Sequence, residues 1–258
     1  MPSTYAHYRF GTQMLNQMPG DIRRVAKRFR RLFDMGLHGP DLLFYTPSLP
    51  TKAVKPGTKF HYQTGKDFFT RVCRGLRLEP NEAGCAYLYG LLCHYCLDSL
   101  CHPFIEEQAK AGKCSHKEIE AEFDRFLLET DGKIPPHRQD LSLHIRLTPG
   151  ECETAARFYP GISASQIRLC VQNMSLLTKL MASAEGMGRT LLQKSMGLAS
   201  QSDLVMPVSP NPGCTELDGQ LLDLYNRASE QFAPMLAQLI AHMTYNAPLG
   251  EEFTPIFG

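Results

Sequence analysis

LLCHYCLDSLCHPF, residues 91–104, is an apolar run with helical periodicity that carries His94, Asp98 and His102 where a buried helix normally holds only apolar side chains. On a helix, positions four apart drift by only about 40°. All three polar groups therefore share one face. An unpaired carboxylate in such a place costs several kcal/mol or takes up a proton. Two flanking imidazoles and a shared cation remove that penalty, so the spacing points to a metal site. The bland alternative is a satisfied core histidine on a helix with a polar edge. Pro103 disfavours helical geometry at the residue before it, which predicts that His102 sits on a loosened last turn of a helix over 83–102. Cys93 and Cys96 lie well round from the polar face and read as core.

Downstream, CSHKEIEAEFDRFL (114–127) opens with Ser115 and, three residues later, Glu118. This capping-box pattern starts a helix over 115–130 and puts His116 and Glu120 on one face, four apart. Imidazole with carboxylate suits zinc or a similar divalent ion. Upstream, His7 lies on a short helix beginning near Ser3. His38 and Asp41 flank Gly39 and Pro40, which end the preceding helix and present both side chains at a turn. His61 follows TPSLPTKAVKPGTKF (46–60), whose three prolines and a glycine mark an extended connection.

The remaining chain fits one helical architecture. Its 258 residues, 43% hydrophobic, suffice for one sizeable core, and a single domain over 1–258 is expected. Further helices are expected at 4–17, 20–34, 65–75, 151–158, 163–182, 185–198 and 216–246. No segment alternates as a strand does, so the fold class is all-α. The loop from Gln201 to Cys214 reads as a linker or a lid. The net charge of +1 demands neither nucleic acid nor an anionic membrane as partner. No bilayer-spanning run and no leader pattern is found, so a cytoplasmic location is expected, and in that reducing compartment the nine cysteines at scattered spacing read as free thiols. His137, His144 and His242 lack partners at ligand spacing and are read as structural.

The order of AHYRFG (6–11), GLHGPD (36–41), His61, HYCLD (94–98) with His102, and HKEIE (116–120) resembles the zinc-dependent phospholipase C family, which shares its fold with trinuclear-zinc nucleases of single strands. The resemblance covers about residues 1–130. It implies two or three zinc ions, or other divalent metals: one held by His61, His94 and Asp98, a second by His102, His116 and Glu120, a third by His7 with a shared Asp98. Asp41 matches the aspartate beside the attacking water, as ligand or general base. The chain departs from the family in three ways. It begins Met-Pro, so the Pro2 amine, once Met1 is removed, would have to stand in for the family's terminal-amine ligand. Its third histidine comes two residues early, at His102. His38 is additional, either orienting Asp41 or a structural turn residue.

Clustered divalent ions suit hydrolysis of a phosphodiester, phospholipid-like or small, by a metal-bridged hydroxide assisted by Asp41. A zinc-dependent nuclease or nucleotide phosphoesterase and a non-catalytic metal-binding protein are the alternatives. Helix 20–34 sets Ile22, Val25, Ala26, Phe29, Leu32 and Phe33 on one face and Arg23, Arg24, Lys27, Arg28, Arg30 and Arg31 around the rest. Such a helix either packs on the core with a solvated outer face or meets anionic lipid heads, as a peripheral membrane contact, or a nucleic-acid backbone. The chain lacks tryptophan and aromatic–basic interleaving, which disfavours nucleic acid as the partner.

Overall fold

The computed structural model describes residues 4–46, 56–183 and 205–257. The expected helix at 185–198 and part of the 201–214 loop lie outside the described residues, as do Pro2 and most of the 46–60 connection. Described helices are α1 (Thr4–Gln17), α2 (Gly20–Arg28), α3 (Arg30–Gly36), α4 (Pro56–His61), α5 (Gly65–Leu78), α6 (Glu82–Lys110), α7 (His116–Thr130), α8 (Pro149–Ala156), α9 (Ala164–Ser183) and α10 (Asp218–Tyr245). Among the described residues there is no strand, only an isolated bridge between Thr64 and Ile256.

The central helix is α6. Asn81 caps it, its side chain accepting from the Ala83 and Gly84 amides at 2.9 and 3.3 Å. It does not stop at His102. It continues through Pro103 to Lys110, the lost donor bond and ring crowding at Pro103 being offset by burial of the later turns, where Ile105 is 5% exposed. His102 is therefore an interior helical residue rather than a terminal one.

The expected helix 20–34 is two helices that turn at Phe29, with φ −109° and ψ 45°. The cause is burial. In α2 only Ile22 and Ala26 are buried, whereas in α3 Leu32, Phe33, Asp34, Met35 and Gly36 all are. A surface helix must change direction to become a core helix. That entry is tight: a Cβ on Gly90 would overlap the Phe33 carbonyl, and one on Gly36 the Tyr87 carbonyl, so two glycines let the α3 and α6 backbones touch. The chain leaves α3 through Gly39, whose φ of +49° is a left-handed value, and enters a 3₁₀ turn over Gly39–Tyr45.

Helix α7 begins as its capping box dictates, Glu118 N to Ser115 Oγ at 3.3 Å and Ser115 N to Glu118 Oε2 at 2.8 Å. Helix α10 lies along α6, with Cys96 Sγ 3.5 Å from Met235 Sδ. After α10 the chain straps across the core: Tyr95 OH donates to the Pro255 carbonyl at 2.9 Å, and Phe253 and Phe257 are fully buried. Phe257 N donates to the His61 carbonyl at 3.1 Å, so the strap also pins the end of α4. The free-thiol expectation fails at one pair. Cys114 and Cys214 form a disulfide across a sequence separation of 100, a contact no local pattern announces. Seven other cysteines are free.

Candidate metal centre

Three elements deliver the first candidate ligands to one buried place. From α6, His94 is 0% and Asp98 2% exposed; from α1, His7 is 3%; from the 3₁₀ turn, Asp41 is 1%. Asp98 stands at the centre. Its Oδ2 lies 3.0 Å from His94 Nε2 and 3.6 Å from His102 Nε2, and its Oδ1 lies 3.1 Å from His7 Nε2. One atom from each of His7, Asp41, His94 and Asp98 falls within a mutual 4.8 Å, and the same holds for His102, His116 and Glu120. In the second group Glu120 Oε1 is 3.2 Å from His116 Nε2 and 3.5 Å from His102 Nε2. Its three members are those expected, and the early position of His102 does not keep it out.

The first group is not the expected set of His61, His94 and Asp98: His61 is absent from it, and His7, expected at a third ion, and Asp41 are in it. His61 does not join His94 and Asp98; its Nε2 meets Asp41 Oδ1 at 2.7 Å. Asp41 completes the four instead, with Oδ2 4.0 Å from His94 Nε2. Gly57 explains the orientation of His61, because His61 Nδ1 donates to that carbonyl at 2.8 Å and so aims Nε2 at the carboxylate. His38 does not hydrogen-bond the Asp41 carboxylate. Its Nε2 pairs with His144 Nε2 at 2.9 Å, so His144 is not the unpartnered residue that spacing suggests. The two are separated by 106 residues in sequence, and Tyr8 stacks on His144 at 4.0 Å.

Supporting bonds fix the tautomers. His94 Nδ1 donates to the Leu37 carbonyl at 3.2 Å and His116 Nδ1 to Glu106 Oε1 at 2.8 Å, leaving both Nε2 atoms to face the clusters. Glu106 is four residues past His102, a spacing readable in the sequence. So is Asp124, four past Glu120, which ties α7 to α1. Its Oδ2 accepts from Tyr5 N and its Oδ1 from Ala6 N, both at 2.8 Å, immediately before His7.

The donor set fits a divalent cation. Asp41 Oδ2, His94 Nε2 and Asp98 Oδ2 in the first group and His116 Nε2 in the second are buried without a hydrogen-bond partner, each beside the other candidate ligands of its group. Buried polar atoms are normally satisfied, and lone pairs aimed at a common point are what an ion supplies with charge. The electrostatics agree. Burial pushes Asp98 up, but His102, His94 and His7 outweigh it and hold the carboxyl well below its usual range. Burial likewise opposes, and the His61 bond and charge prevail, in keeping Asp41 low. Glu120 is pulled down to about 2 against its burial, with His102 and His116 among the causes. His7, His61 and His116 are raised, burial notwithstanding, by the carboxylates they face. Without metal the pocket thus holds ionised carboxylates and imidazole protons, which a divalent cation displaces.

A family profile described as zinc dependent phospholipase C matches residues 6–162, more than half of the chain and beyond the last candidate ligand. No curated protein and no solved structure matches the chain. By that match, this all-α chain belongs to the zinc-dependent phospholipase C family.

Proposed function

We propose that the protein is a metal-dependent phosphoesterase that hydrolyses a phosphodiester of phospholipid-like kind, folded as one domain over 1–258. The observation that carries this is the pre-grouping of His7, Asp41, His94 and Asp98 beside His102, His116 and Glu120, with Asp98 at the junction. One buried hydrophobic cluster from Tyr5 to Phe257 supports the single domain. Zinc ions held by these residues supply Lewis acidity towards water and the phosphoryl oxygens.

The chain's own groups do the rest. His61, locked by Gly57, fixes one oxygen of Asp41, while the other has no hydrogen-bond partner and is available to take a proton from water or to ligate. Beside Glu120 a pocket is walled by Pro136, Leu141, Met181 and Met206, with Lys117 and Gln139 also lining it. Apolar walls with a cation suit an ester that joins an apolar substituent to an anionic phosphate.

Among the described residues no helix is long and apolar enough to cross a membrane. The cytoplasmic expectation entailed free thiols, and the Cys114–Cys214 disulfide weighs against it, since such bonds persist in oxidising compartments. Peripheral membrane contact remains part of the proposal, although Arg28, Arg30 and Arg31 of the basic stretch are ion-paired to Glu82, Asp34 and Glu151.

The test is a panel of phosphodiesters and phosphomonoesters assayed with and without chelator, on wild type and Asp41→Asn, with metal content measured on both. Turnover should vanish with chelator and fall by about 10²–10⁴ in the variant; unchanged metal content there makes Asp41 the proton acceptor, and a lower content makes it a ligand. Fewer than one tightly bound ion per chain refutes the site. Unaltered biological activity in Asp41→Asn would leave a non-catalytic metal protein. Release of nucleotides from single-stranded DNA without turnover of phosphocholine esters would make it a nuclease.

A further inference from the structure

A second concavity lies next to the pocket at Glu120. Leu141 walls both, and the consecutive residues Thr4 and Tyr5 line one each. It measures about 560 Å³, within the size range of ligand sites. Its charged lining is Arg28, Arg30, Arg31, Lys133 and Arg146 against Asp34, Asp140 and Glu151. Each of these acids already has a partner. Arg30 holds Asp34, Arg31 holds Glu151 at 2.9 Å, and Asp140 accepts from Ser142 N at 2.9 Å. Arg28 is drawn to Glu82, outside the cleft, at 3.0 Å. Lys133 and Arg146 form no ion pair among the described residues, and Lys133 Nζ is stationed 5.4 Å over the Tyr5 ring. The cleft therefore keeps two cations that no protein anion contacts directly, Asp34 and Asp131 acting on Arg146 and Lys133 only at longer range.

Two large apolar side chains stand beside these cations. Ile134, adjacent to Lys133, is 75% exposed, and Leu143, which lines the cleft, is 72% exposed. Unpaired cations next to protruding aliphatic groups are complementary to a membrane interface, where phosphate lies beside acyl chain. A nucleic-acid backbone offers the phosphate but nothing for Ile134 and Leu143.

We propose that the face bearing Lys133, Ile134, Leu143 and Arg146 docks on an anionic lipid surface and seats a lipid phosphate in the cleft. Docking there brings headgroups to the neighbouring pocket beside Glu120, a purpose that rests on the phospholipid reading. The binding itself follows from charge and exposure alone.

The test is co-sedimentation of the zinc-loaded full chain with vesicles of phosphatidylcholine, alone or with a quarter of the lipid replaced by phosphatidylserine. Wild type should prefer the mixed vesicles, and less so at high salt. Each cation near such a surface contributes about 5-fold, so Lys133→Ala with Arg146→Ala should remove about 25-fold of that preference. Ile134→Ser with Leu143→Ser should weaken binding to both vesicle types. All variants should keep the wild-type circular dichroism spectrum and hydrolysis of a soluble diester, bis(p-nitrophenyl) phosphate. No preference for anionic vesicles, or a preference that survives both pairs of substitutions, overturns the docking face. So does loss of single-stranded DNA or inorganic phosphate binding in the cation variant with no vesicle response. A protein that docks but hydrolyses nothing retires the phosphoesterase proposal and leaves the docking face standing; hydrolysis without docking does the reverse.

Discussion

Replacing Asp124 by alanine should both destabilise the fold and loosen one side of the metal centre. Asp124 is 4% exposed and its two oxygens each accept a 2.8 Å bond, from Tyr5 N and Ala6 N. These amides belong to the first turn of α1, which has no acceptors of its own for them. Tyr5 is 4% and Ala6 0% exposed, so water cannot take over. Each bond is worth about 1 kcal/mol with a neutral acceptor and about 3 with an ionised one, which puts the loss at about 2–6 kcal/mol. Asparagine keeps one carbonyl acceptor and turns an NH₂ towards the other amide, so it should lose roughly half as much. His7 is the next residue after Ala6 and sits 3.1 Å from Asp98, so the alanine variant should also bind less zinc than wild type. Urea unfolding followed by circular dichroism, with zinc counted by mass spectrometry, measures both effects. An alanine variant within about 1 kcal/mol of wild type and with full metal content would refute this linkage of α1 to α7.

The same residue supplies a pH test in metal-depleted protein. Burial raises Asp124 from 3.8 to about 7, against the lowering by its two backbone bonds. A folded pKa above the unfolded one means that the bound proton stabilises the fold fully below about pH 4. That stabilisation is lost as pH rises through about 7 and amounts to about 4 kcal/mol at most. Asparagine cannot titrate, so its stability should gain on wild type between pH 4 and 8. Parallel pH curves for the two proteins would rule the effect out.

Two other perturbations separate competing causes. Gly90→Ala should gain about 1 kcal/mol if helix propensity governs, but lose about 1–3 kcal/mol if the overlap with the Phe33 carbonyl governs. We expect a lowered Tm, and a raised one would show that α3 and α6 separate without cost. Zinc affinity should rise steeply with pH. The raised His7, His61 and His116 bind protons that stabilise the metal-free fold fully below about pH 6.5, and these are lost as pH climbs through their folded values. Competition with a chromophoric chelator at pH 6 and 8 reads this out, and a pH-independent Kd contradicts it.

What the sequence disclosed was local. The bounds of α1, the Ser115–Glu118 capping box and the His94–Asp98–His102 and His116–Glu120 pairings all follow from one helix's own periodicity. Helix α4 was also within reach, since Pro56 sits at its first position, where proline is preferred. The misses are tertiary. The turn at Phe29 exists because α3 enters the core, and the His38–His144 and Cys114–Cys214 contacts join residues 106 and 100 apart. His61 meets Asp41 rather than Asp98, and that contact depends on the Gly57 carbonyl, which no spacing encodes.

The early third histidine illustrates how such a departure is absorbed. Were α6 to end at His102, that imidazole would hang from a frayed turn with its direction unspecified. Because α6 runs on to Lys110, His102 stays on the face of Asp98, one turn further along. From there Nε2 lies 3.6 Å from Asp98 and 3.5 Å from Glu120, nearly midway between the two carboxylates. The four-residue step thus draws the second cluster against the first, and Asp98 becomes their common wall. In α7, His116 and Glu120 close that second cluster from the opposite side, 3.2 Å apart, so one helix supplies the junction and the other completes it. The same extension of α6 places Glu106 where His116 Nδ1 can donate to it at 2.8 Å. Continuing a helix through proline therefore recruits both a candidate ligand and the carboxylate that orients a second one.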